Sequence, residues 1–206
     1  MSDDVERRWQ RLEPDARRRQ ILECAIRLYG ERPYASVSTT ELAKEARVAR
    51  GLINHYFGGK RDLYLEVIRV MVTVPPPDRV SFPAGTLAEK ADAFIAWFLD
   101  IVERHGKTWL VAVAGEGLAN DPDVQRILRE ADDLAAKRLI EALGSTLGPA
   151  NPDTLHATIR AYGGLIKAAS REWIERQTLT RDQVHQLLVS SLIGIVRDMH
   201  TSSVGS

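Results

Sequence analysis

Ser38–Tyr64 reads STTELAKEARVARGLINHYFGGKRDLY, and this stretch decides the fold. Ser38 or Thr39 can cap a helix, Glu41 stands three residues beyond Ser38, and Leu42, Ala43 and Ala46 share one face. A second short helix is expected over Arg50–Phe57, with Ile53 and Phe57 inward. Only Arg47–Ala49 separate the two, so the layout is helix, three-residue turn, helix. Leu42, Ala43, Ala46, Val48, Ile53 and Phe57 then need an apolar partner. Ile21, Cys24/Ala25 and Leu28 supply one from a preceding helix, at the spacing i, i+3/i+4, i+7.

What remains on the outer face of the second helix is Arg50, Gly51, Asn54 and His55. Arg50 sits at the helix start, where recognition helices present side chains to major-groove edges. A bidentate arginine–guanine contact is worth roughly 1–3 kcal/mol of discrimination. Gly51, lacking a side chain, lets the backbone approach a duplex closely. His55 is a lone outward histidine and a candidate for a base or phosphate contact.

Working outward, the chain stays helical. Lys60–Val72 forms a fourth helix that stops before VPPPDRVSFPAG (74–85), a run no helix can continue. Beyond it one stripe is marked by Leu87, Ala91, Phe94, Phe98 and Ile101. Val124, Ile127, Ala131, Leu134 and Ala135 mark another, opened by Asn120-Asp121-Pro122. Leu155, Ile159, Tyr162, Ile166, Ala169 and Trp173 step by fours and threes, and Val184, Leu188, Ser191, Leu192, Ile195 and Met199 close the series. The expected fold is all-α, a helix-turn-helix domain joined by a helix to a larger helical domain. The divisions are an N-terminal arm (1–15), the helix-turn-helix domain (16–60), a connecting helix (61–72) and a ligand-binding and dimerisation domain (84–200). Arg7, Arg8 and Arg11 have two readings, a minor-groove arm or a disordered basic tail.

The 206 residues carry 28 Lys+Arg and 28 Asp+Glu, a net charge of zero. Divided after Val72, the first part has 14 basic against 11 acidic residues and the second 14 against 17. Leu42–Arg61 alone holds Lys44, Arg47, Arg50, Lys60 and Arg61 against Glu45, an electrostatic footprint for a polyanion. A single cysteine, Cys24, forms no intramolecular disulfide and reads as a core residue. No apolar run approaches the roughly 20 residues of a membrane helix, so a cytoplasmic protein without membrane contact is expected.

VARGLINHYFGGKRDLY resembles the recognition-helix signature of the TetR family of bacterial transcriptional regulators, and RRRQILECAIRLYGERPYASVSTTELAKEA resembles that family's first two helices. The resemblance covers about Ala16–Met71 and implies a homodimer on a palindromic double-stranded DNA operator, released by a small-molecule effector. Carried over by position, Thr40, Arg50 and Gly51 correspond to base-contacting sites, and Thr39, Tyr56 and Lys60 to phosphate-contacting ones. Arg47 replaces the family's usual turn glycine, which asks a non-glycine residue to adopt a left-handed conformation. Ala49 replaces the usual small hydroxyl residue, a cap worth about 1 kcal/mol. Asn54 stands where the family often has a phosphate-touching tyrosine; it can pair with adenine or bond a phosphate.

For the larger half the resemblance implies an effector cavity and dimerisation through the last two helices. Trp97, Phe98, Trp109, Val113, Glu116, Tyr162 and Ile166 are the candidate cavity residues for an apolar or amphipathic ligand. Gly163, Gly164, Ser190 and Ser191 permit a close helix crossing, and Gly163 and Gly164 can instead kink their helix beside a ligand. An effector acting through the fourth helix would alter the spacing of the two recognition helices. An enzyme is not expected: Gly115-Glu116-Gly117 follows no strand, the histidines are scattered, and no metal or cofactor motif occurs. The alternative is a helix-turn-helix protein that acts through protein–protein contacts without sensing a ligand.

Overall fold

The computed structural model describes residues 14–75, 84–114, 120–148 and 151–204. Every secondary-structure element among them is helical. Arg7, Arg8, Arg11 and Glu116 lie outside the described residues. The chain divides into two compact units, Met1–Val67 and Ile68–Ser206. The division falls inside a helix.

The first unit begins with α1 (Pro14–Glu31), followed by a 3-10 turn at Tyr34–Ser36, α2 (Thr39–Glu45), α3 (Arg50–Phe57) and the start of α4 (Lys60–Val72). Its core takes Ile21, Cys24, Ala25 and Leu28 from α1, Leu42 and Ala43 from α2, and Ile53 from α3. Burial pushes the Cys24 thiol up, so it is a protonated core residue. Two expected core residues sit nearer the surface. Val48 is half-buried, and Phe57 is covered by the guanidinium of Arg18, 4.8 Å from its ring centroid. That guanidinium is held by Glu66 at 2.9 Å.

Ser38 is the N-cap of α2, its Oγ accepting from the Glu41 amide at 3.1 Å. The Glu41 carboxylate pairs with Arg32, which holds it below the usual carboxylate range. α2 then ends in the turn. The Arg47 amide bonds the Lys44 carbonyl, the Val48 amide bonds the Ala43 carbonyl, and Arg47 has φ +53°. The arginine in the glycine position therefore does adopt the left-handed conformation. Ala49 precedes α3 with extended dihedrals and no side-chain cap.

The second unit contains α5 (Leu87–Ala114), α6 (Pro122–Leu143) with a 3-10 turn at Gly144–Leu147, α7 (Pro152–Ile174) and α8 (Arg181–Val204). Two helices start alike. Asp121 Oδ1 accepts from the amides of Asp123 and Val124, Asn151 Oδ1 from those of Asp153 and Thr154, and proline occupies the first turn of each. α5 packs along α8 and α6 along α7. At Gly106 in α5 an added Cβ would stand 3.1 Å from Ile174 Cδ1, so glycine is what lets this face meet α7 closely. The Tyr162 hydroxyl donates to the Leu188 carbonyl at 2.7 Å, fastening α7 to α8.

The apolar stripes are shifted in two places. In α8 the buried residues are Val184, Leu188, Leu192 and Val196, whereas Ser191, Ile195 and Met199 are half-buried or more exposed. In α6 the burial continues past Ile127 to Ala136, Leu139 and Leu143, with Ala131, Leu134 and Ala135 less covered.

Relieving Arg47 of its positive φ and giving α3 a cap should both stabilise the first unit. Arg47→Gly is expected to add about 0.5–1 kcal/mol, the gain in strain being partly offset by the freer unfolded chain. Ala49→Ser is expected to add about 1 kcal/mol. Chemical denaturation of each variant checks both values.

Candidate functional site

α3 has eight residues, and its buried member is Ile53. With Ile53 inward, the helical period places Gly51 and His55 about 160° away and Asn54 about 100° away; Arg50, about 60° from Ile53, is exposed because it opens the helix, and all four residues are exposed. Thr40 is exposed and Thr39 half-buried at the start of α2. Tyr56 is half-buried, and its ring meets the His55 ring edge-on at 5.0 Å. A Cβ added to Gly51 would meet nothing within 4 Å, so no contact inside the chain requires glycine there. Gly58, which ends α3, differs: its φ is +86° and an added Cβ would lie 2.9 Å from Asp62 Oδ2.

The charges of this unit fall into two groups. Arg18 is paired with Glu66, Arg27 with Glu45 at 4.0 Å, and Arg32 with Glu41. Among the described residues, the guanidinium of Arg50 has no hydrogen bond or ion pair. An unpaired guanidinium at a helix start, beside a glycine and an asparagine, presents donors in the arrangement that suits base edges and phosphates.

Lys60, the first residue of α4, is seated rather than free. Its ammonium donates to the Tyr34 carbonyl at 2.7 Å and lies 4.0 Å from the Tyr34 ring centroid. Partial burial lowers its pKa. One N–H is used, which leaves two for a phosphate. Tyr34 packs in turn on Tyr64 at 4.8 Å, and Tyr64 meets Tyr29 at 4.9 Å. This tyrosine cluster was not among the expected site residues; its members are three of the four tyrosines within Tyr29–Tyr64, the one signal of it in the sequence.

In the second unit a cavity of about 60 Å³ is lined by Phe98, Trp109, Val113, Tyr162 and Ile166, five of the expected residues. That volume has room for a few waters at roughly 10–15 Å³ each. Trp97 is not in the wall. Phe94 and Phe98 are four residues apart on one stripe of α5, and Trp97, about 100° around the helix from Phe98, stacks edge-on against Phe94 at 5.3 Å. Glu116 is outside the described residues. The wall also includes Val72, Leu128, Gly163 and Lys167, which apolar periodicity alone did not single out. Among the described residues, no group of three His, Cys, Asp or Glu is placed to hold a metal ion. No helix among them is long and apolar enough to cross a membrane.

A three-helix unit with a short turn and an outward polar α3 defines the helix-turn-helix class. Residues 21–67 match the family model for bacterial regulatory proteins, tetR family. The HTH-type transcriptional regulator BetI of Brucella anthropi is 43% identical over 53 residues, which is 26% of this chain and 27% of that protein. BetI of Agrobacterium fabrum is 38% identical over 56 residues, 27% of each. The chain thus spans about a quarter of the length of these curated relatives. Among solved structures, a tetR-family transcriptional regulator from Streptomyces coelicolor has a TM-score of 0.69 at 20% identity, covering 91% of this chain and 89% of that one. A TetR transcriptional regulator from Rhodococcus sp. RHA1 has a TM-score of 0.61 at 20% identity, covering 89% and 97%. Residues 21–67 thus match that family's model, and the chain shares the fold of these solved structures. These relatives and solved structures are transcriptional regulators.

Two glycines at α3 predict opposite outcomes. Gly51→Ala is expected to raise stability by up to about 1 kcal/mol, because alanine is the better helix former and nothing obstructs it. Gly58→Ala is expected to lower stability by about 1 kcal/mol or more, because its φ is positive. Thermal melts of the two variants check the signs.

Proposed function

We propose that this protein is a sequence-specific DNA-binding transcriptional repressor. It acts as a homodimer on a palindromic operator and is released by a small apolar or amphipathic ligand. The observation that carries the reading is the unpaired Arg50 at the start of α3, flanked by exposed Gly51 and Asn54 on a helix anchored by Ile53. Arg50 reads bases, with Thr40 and Gly51 beside it. Thr39, Tyr56 and Lys60 contact phosphates, which set register and carry most of the salt dependence. Asn54 and His55 complete the face. This assignment follows the tetR-family match over residues 21–67.

Dimerisation is supported by the outer faces of α7 and α8. Gly164 is exposed in α7, and a Cβ added there or at Gly194 in α8 would meet nothing within 4 Å. Glycine inside a helix costs about 1 kcal/mol relative to alanine, and a close helix crossing with a second copy gives these residues a purpose. Leu187, 39% exposed, belongs to the same helix as Gly194. Effector control is supported by the cavity of the second unit and by α4, a continuous helix with Lys60 at its start and the cavity-lining Val72 at its end. Ligand binding then changes the separation of two recognition helices that must meet half-sites about 34–36 Å apart.

Selection from random duplex DNA is expected to return a palindrome, bound by a species of twice 23.0 kDa in light scattering. Arg50→Ala should flatten preference at one base pair per half-site, by about 1–3 kcal/mol. Lys60→Gln should weaken all sequences alike and shallow the salt slope by about one for each phosphate no longer neutralised. Selected sequences without dyad symmetry, together with unaltered binding by Arg50→Ala, contradict the proposal.

A further inference from the structure

The cavity of the second unit has a chemical polarity that points to one class of ligand, given its reading as the effector site. Its walls are apolar over most of their extent, with Phe98, Trp109, Val113, Leu139, Tyr162 and Ile166 contributing. The Tyr162 hydroxyl is spent on the Leu188 carbonyl, so the phenol offers the chamber its ring and not its donor. A second, smaller cavity of about 20 Å³ shares Val72, Val74, Phe98 and Trp109 with the first. Phe98 and Trp109 meet edge-on at 5.8 Å between them. Both spaces border this pair, so a shift of it would join them into one longer space, which suits a slender chain better than a fused ring system.

Among the described lining residues, those that carry charge are Asp132, Arg160 and Lys167. Lys167 is paired with Asp132 at 2.6 Å, and its side chain is only 28% exposed. Arg160 is paired at 2.6 Å with Asp133, which does not line the cavity. The chamber therefore faces two cations and one carboxylate. Lys167 has two N–H groups beyond the one it gives Asp132, and Arg160 has four beyond the one it gives Asp133. A cationic head would meet two like charges, whereas an anionic oxygen head would meet spare donors on both.

Gly163 supplies an independent observation. It lies within α7, lines the chamber, and an added Cβ would meet nothing within 4 Å. Neither backbone conformation nor packing inside the chain calls for glycine there, despite its helix cost. Its effect is to leave room at the chamber wall.

We propose that this cavity binds a linear aliphatic chain ending in a singly charged anionic oxygen group. The head is held by Lys167 and Arg160 after Lys167 leaves Asp132, and the tail lies against Gly163 and passes the Phe98–Trp109 pair.

The test is isothermal titration of the full-length protein with octanoate, octanol and octylammonium, which share one tail. Octanoate is expected to bind at least tenfold more tightly than octylammonium and more tightly than octanol. Hexanoate and decanoate should bracket octanoate, with about fourfold in affinity per methylene. Lys167→Gln should weaken octanoate about tenfold and leave octanol unchanged. Asp132→Asn should strengthen octanoate several-fold by freeing the ammonium, a gain that a merely structural ion pair would not produce. Gly163→Leu, which fills open space and should melt no lower than the unaltered protein, should abolish binding of all three. Equal or tighter binding of octylammonium, or octanoate binding indifferent to Lys167→Gln and Gly163→Leu, overturns the proposal. Operator affinity measured with saturating octanoate separates this site from the effector reading. Binding with the expected variant pattern but without operator release upholds the site and removes its role as effector cavity. Operator release by octylammonium instead keeps the effector reading and removes the anion site.

Discussion

An eight-residue helix is too short to persist in water on its own, because nucleation is costly and isolated helices need on the order of 12–15 residues. α3 exists because Ile53 is fully buried in the core that α1 and α2 help to build. That burial also sets the rotation of α3, since fixing Ile53 inward turns Gly51 and His55 outward and Asn54 to one side, while Arg50 is exposed by its place at the helix start. The polar face that can meet DNA is thus a consequence of packing. The three-residue turn adds a second constraint. It closes only with Arg47 in a left-handed conformation, so the geometry that aims α3 is kept at some cost in stability.

A zero net charge coexists with local basic groups in the first unit because some of its cations are paired with acids and others are not. Arg18, Arg27 and Arg32 hold acidic partners within the first unit and add little field beyond it. Arg50 holds none among the described residues. Lys60 is intermediate, bonded to a backbone carbonyl and resting on a ring, which limits its rotamers while leaving its charge intact. A carbonyl partner does not neutralise an ammonium as a carboxylate would. A pre-positioned cation of this kind loses less side-chain entropy when it meets a phosphate.

The second unit solves a different problem. Four long helices with broad apolar stripes could pack without a gap, yet this unit keeps a small chamber beside Gly163 and a cluster of charges at Asp132, Arg160 and Lys167. The chamber is small as it stands, so the proposed ligand would have to displace part of its wall to enter. A cavity that opens around its ligand can link occupancy to helix position, because closely packed helices respond to added volume by shifting rather than by compressing.

Much of the fold was legible in the residue order because its signals are local. The Ser38 cap, the limits of α3, the left-handed Arg47, the uncapped Ala49 and the Asp121-Pro122 start each depend on neighbours within about four residues, and each is present in the structure. The candidate DNA-contact and cavity residues rest on helical phase and family resemblance, signals that do not fix distances between segments. Trp97 turned away from the cavity because one step around a helix is about 100°. The stripe of α8 settled on Val196 because its partner helices chose among several half-apolar faces. The seat of Lys60 on Tyr34 and the pairing of Lys167 with Asp132 join residues 26 and 35 positions apart, and no local pattern encodes such partners. Sequence alone determined which segments are helical and which face of α3 is polar, since both follow from backbone geometry and periodicity. Tertiary structure alone decided which cations are free and which side chains enclose a cavity, since both depend on distances between segments that only packing brings together.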